Sequence, residues 1–380
     1  MLMHWFSIPA FRHAAAALVG TMVGVGIFGV PFIFARAGFW VGMAWLVAIA
    51  AFKVLFYTMF TELMLRTEGV HQLAGYAGIW LNSWGKRVVT FMNILGIYGA
   101  LLAYTIVVGG FLHNILSSFT AIEPTLYSVL FTAVLAPILL ARLRTVAFVE
   151  QALTVLFVVV VALIVFAGFG DISPGNYAQV MPDRWFLPYG VLLFAFGGLT
   201  SMPIMRQLLV GRERAIRPAV ITAIILVAIV YFLFAAVVVG ISGSATSPDA
   251  ISGLFGILGM PILILGSLLG ILTISTSYIM LGTAMYEIFH IDYHLRRPVS
   301  WLLVVVPPLV FFSSGLRNFI DVIGLVGAVA GGITIILFIV AYLKARTYTI
   351  REPEFTLRVP VFVWYLLMAM FAVGVVLGLR

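Results

Sequence analysis

Apolar runs of membrane-crossing length recur from one end of this chain to the other. LTVLFVVVVALIVFAGF, from residue 153, is one of them. About 20 such residues reach across a hydrocarbon core of roughly 30 Å as a helix. Inside lipid only helices and closed barrels satisfy their own backbone hydrogen bonds. A barrel needs short segments of alternating polarity, and these runs are continuous. Charged residues make up 9% of the 380, where a soluble domain carries about a quarter. The sequence therefore predicts an all-α polytopic membrane protein.

Eleven spans are predicted, at 13–35, 38–66, 87–117, 124–142, 145–169, 185–209, 216–241, 259–289, 298–314, 318–344 and 357–379. With the N-terminus in the cytoplasm and the C-terminus outside, sixteen of the 21 basic residues fall on the cytoplasmic side. Four, Arg36, Arg184, Arg317 and Arg380, fall outside, and Lys53 alone lies deep in a span. That asymmetry follows the positive-inside rule and places the chain in the plasma (inner) membrane of a bacterium-like topology. It also accounts for the net charge of +8 without a nucleic-acid partner. The partners expected are a small solute and the lipid bilayer; the sequence leaves the oligomeric state open. The N-terminal MLMHWFSIPAFRHA lacks the pattern of a cleavable signal and reads as a cytoplasmic, interfacial segment, residues 1–12. The loop 67–86, with Tyr76, Trp80 and Trp84, reads as interfacial too. No cysteine is present, so disulfides and thiolate metal sites are excluded.

Residues 20–31 read GTMVGVGIFGVP, with glycines and a proline inside a span. Gly20 and Gly24 form a GxxxG pair that also suits close helix packing. The sixth span offers an echo, PYGVLLFAFGGLTSMPIMRQ. Gly26 precedes Pro31 by five positions and Gly198 precedes Pro203 by five, at a common offset of 198 − 26 = 172. Interrupted spans in corresponding positions point to a transporter built from inverted repeats. Residues 13–169 would be the first repeat and 185–346 the second, with 357–379 an extra span and no soluble domain. Five spans per repeat invert the second relative to the first. An unwound segment in lipid leaves polar groups without partners, so it persists only where it binds something or lines a cavity. Its N–H groups suit a carboxylate and its carbonyls an ammonium or a cation. A small zwitterion offers both.

GTMVGVGIFGVP resembles the first-span signature of amino-acid permeases of the APC superfamily, which share the LeuT-type five-plus-five fold. The eleven-span layout and LRTEGVHQLAGYA, after the second span, resemble the hydroxy- and aromatic-amino-acid permease branch. The resemblance implies helices 1 and 6 unwound near mid-membrane and secondary active uptake by alternating access, driven by protons or sodium. It implies substrate contacts from Thr21, Gly24, Val25 and Gly26 and from Phe196, Gly197 and Gly198. It also implies a substrate-facing tyrosine on span 3, either Tyr104 or Tyr98. These two stand about 240° apart around a helix and do not share a face.

For the coupling ion the sequence leaves two readings. In a sodium reading implied by the resemblance, the Gly20 and Val23 carbonyls join Thr276 and Ser277; hydroxyls in membrane helices also commonly bond their own backbone. In a proton reading, Lys53 is the candidate, because a charged group deep in a span is functional by default. Lysines of proton-coupled relatives stand on span 5, whereas Lys53 is on span 2. Glu62 and Glu150 are candidate gate or pairing residues at cytoplasmic span ends. No cofactor is expected beyond a sodium ion in the first reading. The histidines are scattered and no catalytic motif appears, so the chain is not expected to be an enzyme; nor does any span carry the polar stripe of a channel. Aromatic neighbours Phe28, Tyr104, Phe194 and Phe196 suggest a neutral, aromatic or large apolar amino acid.

Overall fold

A computed structural model describes residues 8–140, 156, 159–179, 181–348 and 350–379. Among these residues every regular element is helical. In chain order the helices are α1 Pro9–Met22, α2 Gly26–Ala37, α3 Phe39–Leu65, α4 Leu73–Leu116 and α5 Pro124–Leu135. Then come α6 Val159–Asp171, which ends in a tighter turn, and α7 Leu187–Ala195, α8 Met202–Leu208, α9 Ile216–Ser242 and α10 Phe255–Glu287. The last are α11 Arg297–Ser313, α12 Phe319–Val326, α13 Gly332–Thr347 and α14 Val361–Gly378. Seven helices or near-continuous helix pairs are long and apolar enough to cross a membrane, and the bent pair α1–α2 makes an eighth. Three shorter apolar helices, Pro124–Leu140, Val159–Asp171 and Arg297–Ser313, lie within or beside the fourth, fifth and ninth spans read from sequence. Glu150 lies outside the described residues.

Two departures from the sequence reading have physical causes. The stretch 67–86 is not simply interfacial. α4 starts at Leu73, well before the expected span, and turns at Asn82, whose φ of 65° breaks the helix. Trp84 stays exposed, but Tyr76 and Trp80 are buried, and the Trp80 indole donates to the Thr67 hydroxyl at 2.8 Å. Their polar atoms find partners inside the protein, so the headgroup region is not needed. The tenth span is not one regular helix either: a wider turn at Gly327–Gly331 separates α12 from α13. Here α7 makes its closest approach to a neighbour, because a Cβ on Gly190 or Gly327 would collide with the other helix's backbone. Lipid offers no hydrophobic force between helices, so such small-residue contacts carry the packing.

The arrangement centres on the two broken spans. α1 packs against α8 and α2 against α7, so each half of one span pairs with a half of the other. α3 and α9 pack on this group from the side. α4 packs against α10, α5 and α11 to form a second layer. α14 shows broad apolar exposure, with Phe362, Tyr365 and Leu366 uncovered, as a helix against lipid should.

Candidate substrate site at the two helix breaks

The first span unwinds at Val23–Val25 and bends by 57°. Val23 N–H still reaches Val19 O at 2.8 Å, but Gly24 N–H turns to Met22 O at 2.9 Å. The carbonyls of Gly20 and Thr21 therefore lose their intrahelical donors. Beyond the break, Ile27 N–H bonds Gly24 O and Phe28 N–H bonds Val25 O. That leaves Val23 O free of an intrahelical donor as well. The N–H groups of Val25 and Gly26, the first of α2, have no acceptor among the described residues. They mark the positive end of the α2 dipole.

The sixth span breaks at Phe196–Gly198. Gly197 N–H turns back to Phe194 O at 2.8 Å. Leu193 O thereby loses its helical donor, and the Lys53 amine donates to it at 3.3 Å. Ala195 O receives the Tyr231 hydroxyl at 2.8 Å. Phe196 O receives the Tyr57 hydroxyl at 2.8 Å, and Tyr57 Oη in turn accepts Gly198 N–H at 2.9 Å. Gly198 O takes Ser201 N–H and Ser201 Oγ. Side chains of α3 and α9 thus replace the bonds that unwinding removes, which lets non-helical backbone persist at membrane depth. Tyr231 Oη also lies 2.7 Å from Met22 O, so one phenol meets the ends of both α1 and α7.

The breaks meet at Gly26. A Cβ there would lie 2.8 Å from Ala195 Cα and 3.0 Å from Ala195 Cβ, so the crossing admits no side chain. Gly24 is different: the nearest atom to a Cβ there is the Tyr104 hydroxyl, at 3.8 Å. Tyr104 is therefore the span 3 tyrosine beside the break. Tyr98 points elsewhere, its hydroxyl donating to Leu303 O at 2.6 Å. Thr21, Gly197 and Thr200 are exposed and Gly24 half-exposed, in segments whose neighbours are mostly buried.

The structure brings Gly24, Val25, Gly26 and Tyr104 together and sets Gly197 at an open surface. It uses other expected contacts differently. The Thr21 side chain bonds back to Ala17 O at 2.8 Å, so only its backbone serves the break. Phe196 is fully buried, its ring 5.2 Å from that of Tyr231 and its carbonyl already taken by Tyr57. Phe28 is buried edge-on to Phe111. Thr276 Oγ1 bonds Thr273 O at 3.0 Å in its own helix, and neither Thr276 nor Ser277 hydrogen-bonds span 1. Sequence reasoning missed Tyr57 and Tyr231. Tyr57 follows Lys53 by four positions, hence on one helix face, a signal that could have marked it.

A second polar cluster lies at the end of the bundle where α3, α8 and α13 terminate. Glu62, fully buried, accepts Arg66 at 2.8 Å, the Tyr342 hydroxyl at 2.8 Å and Leu357 N–H at 2.7 Å. Arg206 of α8 donates to Met64 O, to the Tyr76 hydroxyl at 3.0 Å and to Thr67 O at 3.0 Å. Arg351, between α13 and α14, reaches Leu65 O at 2.8 Å and pairs with Glu354. The hydrogen bond it donates to Glu354 holds that guanidinium above its usual pKa.

The model of the tryptophan/tyrosine permease family matches residues 9–379. A relative named tyrosine-specific transport system 1, from Haemophilus influenzae, is 22% identical over 350 residues, covering 87% of this chain and 86% of its own. Among solved structures, the Eremococcus coleocola manganese transporter, bound to an aromatic bis-isothiourea compound, superposes with a TM-score of 0.70 at 14% identity. It covers 99% of this chain and 87% of that one. A mutant of that transporter gives 0.66 at 13% identity, with 97% and 86% covered. At such identities the likeness speaks for the fold alone: a multi-pass, helical transporter fold. The family match spans nearly the whole chain, which makes this protein a permease and not an enzyme; the chain belongs to the tryptophan/tyrosine permease family.

Proposed function

We propose that this chain is a secondary transporter of an aromatic amino acid, tryptophan or tyrosine, working by alternating access. The observation that carries the reading is the meeting of two broken spans at Gly26 and Ala195, beside a part-exposed Gly24 next to the Tyr104 hydroxyl. The substrate carboxylate is held by the Val25 and Gly26 N–H groups at the positive end of α2. The ammonium takes the span 1 carbonyls of Gly20 and Thr21, since those of Leu193, Ala195 and Phe196 already have donors. Tyr104 borders the amino-acid backbone, and the aromatic ring lies toward the open face by Gly197.

The architecture in this reading is a LeuT-type bundle of eleven spans, with five-span repeats. The two breaks support it, since 196 − 23 = 173 lies one residue from the glycine offset in the sequence. The protein sits in the inner membrane with its N-terminus in the cytoplasm. The family and the tyrosine transport relative support an aromatic substrate. The test is counterflow into proteoliposomes loaded in turn with unlabelled tryptophan, tyrosine, phenylalanine, leucine, serine and glutamate. Labelled tyrosine or tryptophan should exchange fastest against the aromatic members. Exchange confined to serine or glutamate would overturn the substrate assignment.

A further inference from the structure

Lys53 stands apart from every other charged residue described. It lies mid-way along α3 and is 5% exposed. Its hydrogen-bond acceptor is the Leu193 carbonyl at 3.3 Å, and its amine lies 5.5 Å from the centre of the Tyr57 ring. Among the described residues no carboxylate stands within ion-pair distance of it. Glu62 is nine residues along the same helix, roughly 13 Å away, and is engaged by Arg66, Tyr342 and Leu357.

The elements packed against α3 are α2, α7, α8, α9 and α13, and α4 and α14 touch it through Tyr76 against Phe60 and Phe371 against Phe52. Their titratable groups near the break are phenols. Tyr231 of α9 meets Ala195 O, and Tyr57 of α3 itself meets Phe196 O. The others lie toward the span ends: Arg36 on α2, Tyr76 on α4, Tyr189 on α7 beside Trp45, Arg206 on α8, Arg217 on α9, Tyr342, Lys344 and Arg346 on α13, and the exposed Tyr365 on α14. Among the described residues Lys53 thus has no partner of opposite charge. What faces it is the carbonyl end of α7, with the carbonyl end of α1 held to it through Tyr231. Two helix C-termini carry partial negative charge, about half a unit each.

We propose that the Lys53 amine carries the coupling proton, and that its protonation state sets whether the break of span 6 is held closed against α3. The proposal rests on the transport function above and names the group that couples it. A bare ammonium in this setting is costly, and one carbonyl offsets little of that cost. The ammonium is therefore tied to the approach of the α7 terminus. With Leu193 O in place, the charge-assisted bond holds α7 to α3. When the bond releases, a proton leaves to water entering the opened break. The step is –NH₂ + H⁺ ⇌ –NH₃⁺: one N–H bond forms or breaks, with the proton taken from one aqueous phase and given to the other.

The experiment uses the full chain in proteoliposomes, with labelled tyrosine and tryptophan and a trapped pH-sensitive dye. Wild type should accumulate substrate when the outside is acid, without sodium, and acidify the lumen as it does so. Lys53→Met and Lys53→Gln should lose roughly tenfold or more of this accumulation and the linked proton entry, while counterflow without a gradient persists and loses its pH dependence. Lys53→Arg, permanently charged, should likewise exchange without accumulating. Proton-driven accumulation at wild-type level in Lys53→Met would overturn the assignment, as would wild-type accumulation that needs sodium and ignores pH. Loss of counterflow in all three variants would also overturn it, since Lys53 would then only hold the fold. Absence of aromatic counterflow in wild type is a separate result, and it refutes the function proposed above.

Discussion

Gly26 is the residue on which most depends, because its missing Cβ is the space Ala195 occupies. Gly26→Ala should push α2 and α7 apart at a cost of about 1–3 kcal/mol, enough for a loss of roughly tenfold or more in transport rate. Gly26→Leu should abolish transport while the protein still inserts; normal uptake by either variant would remove the site from this position. Tyr104→Phe tests the neighbouring opening. Loss of one hydrogen bond to the substrate is worth about 0.5–1.5 kcal/mol, so KM for tyrosine should rise by roughly 2- to 12-fold with little change in maximal rate. An unchanged KM would return Tyr104 to plain packing. The glycines of span 1 were legible in the sequence because each weakens a helix where lipid permits no loose backbone. The residues that stitch the break were not. Lys53 bonds Leu193 and Tyr57 bonds Phe196 across about 140 positions, and no local period in a sequence records such a pairing.

Among the elements, α8 moves or stays according to Arg206, which binds Met64, Thr67 and Tyr76 at the end of α3 and the start of α4. Removing that side chain should free the inner half of span 6. The chain has no cysteine of its own, so a single Thr21→Cys reports access to the break. In this background Arg206→Ala should speed labelling of Thr21→Cys by a thiol reagent applied from the cytoplasmic side by several-fold, and saturating tyrosine should slow it. Equal rates with and without Arg206 would mean that α8 is held by its packing on α1 alone. Helix existence was the most legible property of the chain, since most of the expected spans declare themselves by length and polarity. Helix boundaries were less so. The Asn82 and Gly259 turns are conformations with positive φ inside otherwise continuous apolar helices, and Asn82 in particular belongs to a stretch that reads as loop. Trp80 and Tyr76 read as interfacial because the sequence cannot show that Thr67 would accept from the indole or that Arg206 would reach the phenol.

For the whole molecule, sidedness is the property most open to direct measurement. Ser118→Cys, after α4, should be labelled from outside intact cells, and Glu352→Cys, between α13 and α14, only after the membrane is opened. The reverse pattern would invert the bundle and with it the direction of the proposed proton flow. The charge asymmetry from which this orientation is expected lies in the composition of short loops. The meeting of the two halves lies in three dimensions and is carried poorly. At that meeting Tyr231 stands 2.7 Å from one terminus and 2.8 Å from the other. A phenol owns a single hydrogen, and Met22 O also accepts Gly24 N–H, so the two oxygens depend on that hydrogen unequally. A displacement of either terminus must therefore disturb that one O–H, a hinge pin one atom wide between the two halves.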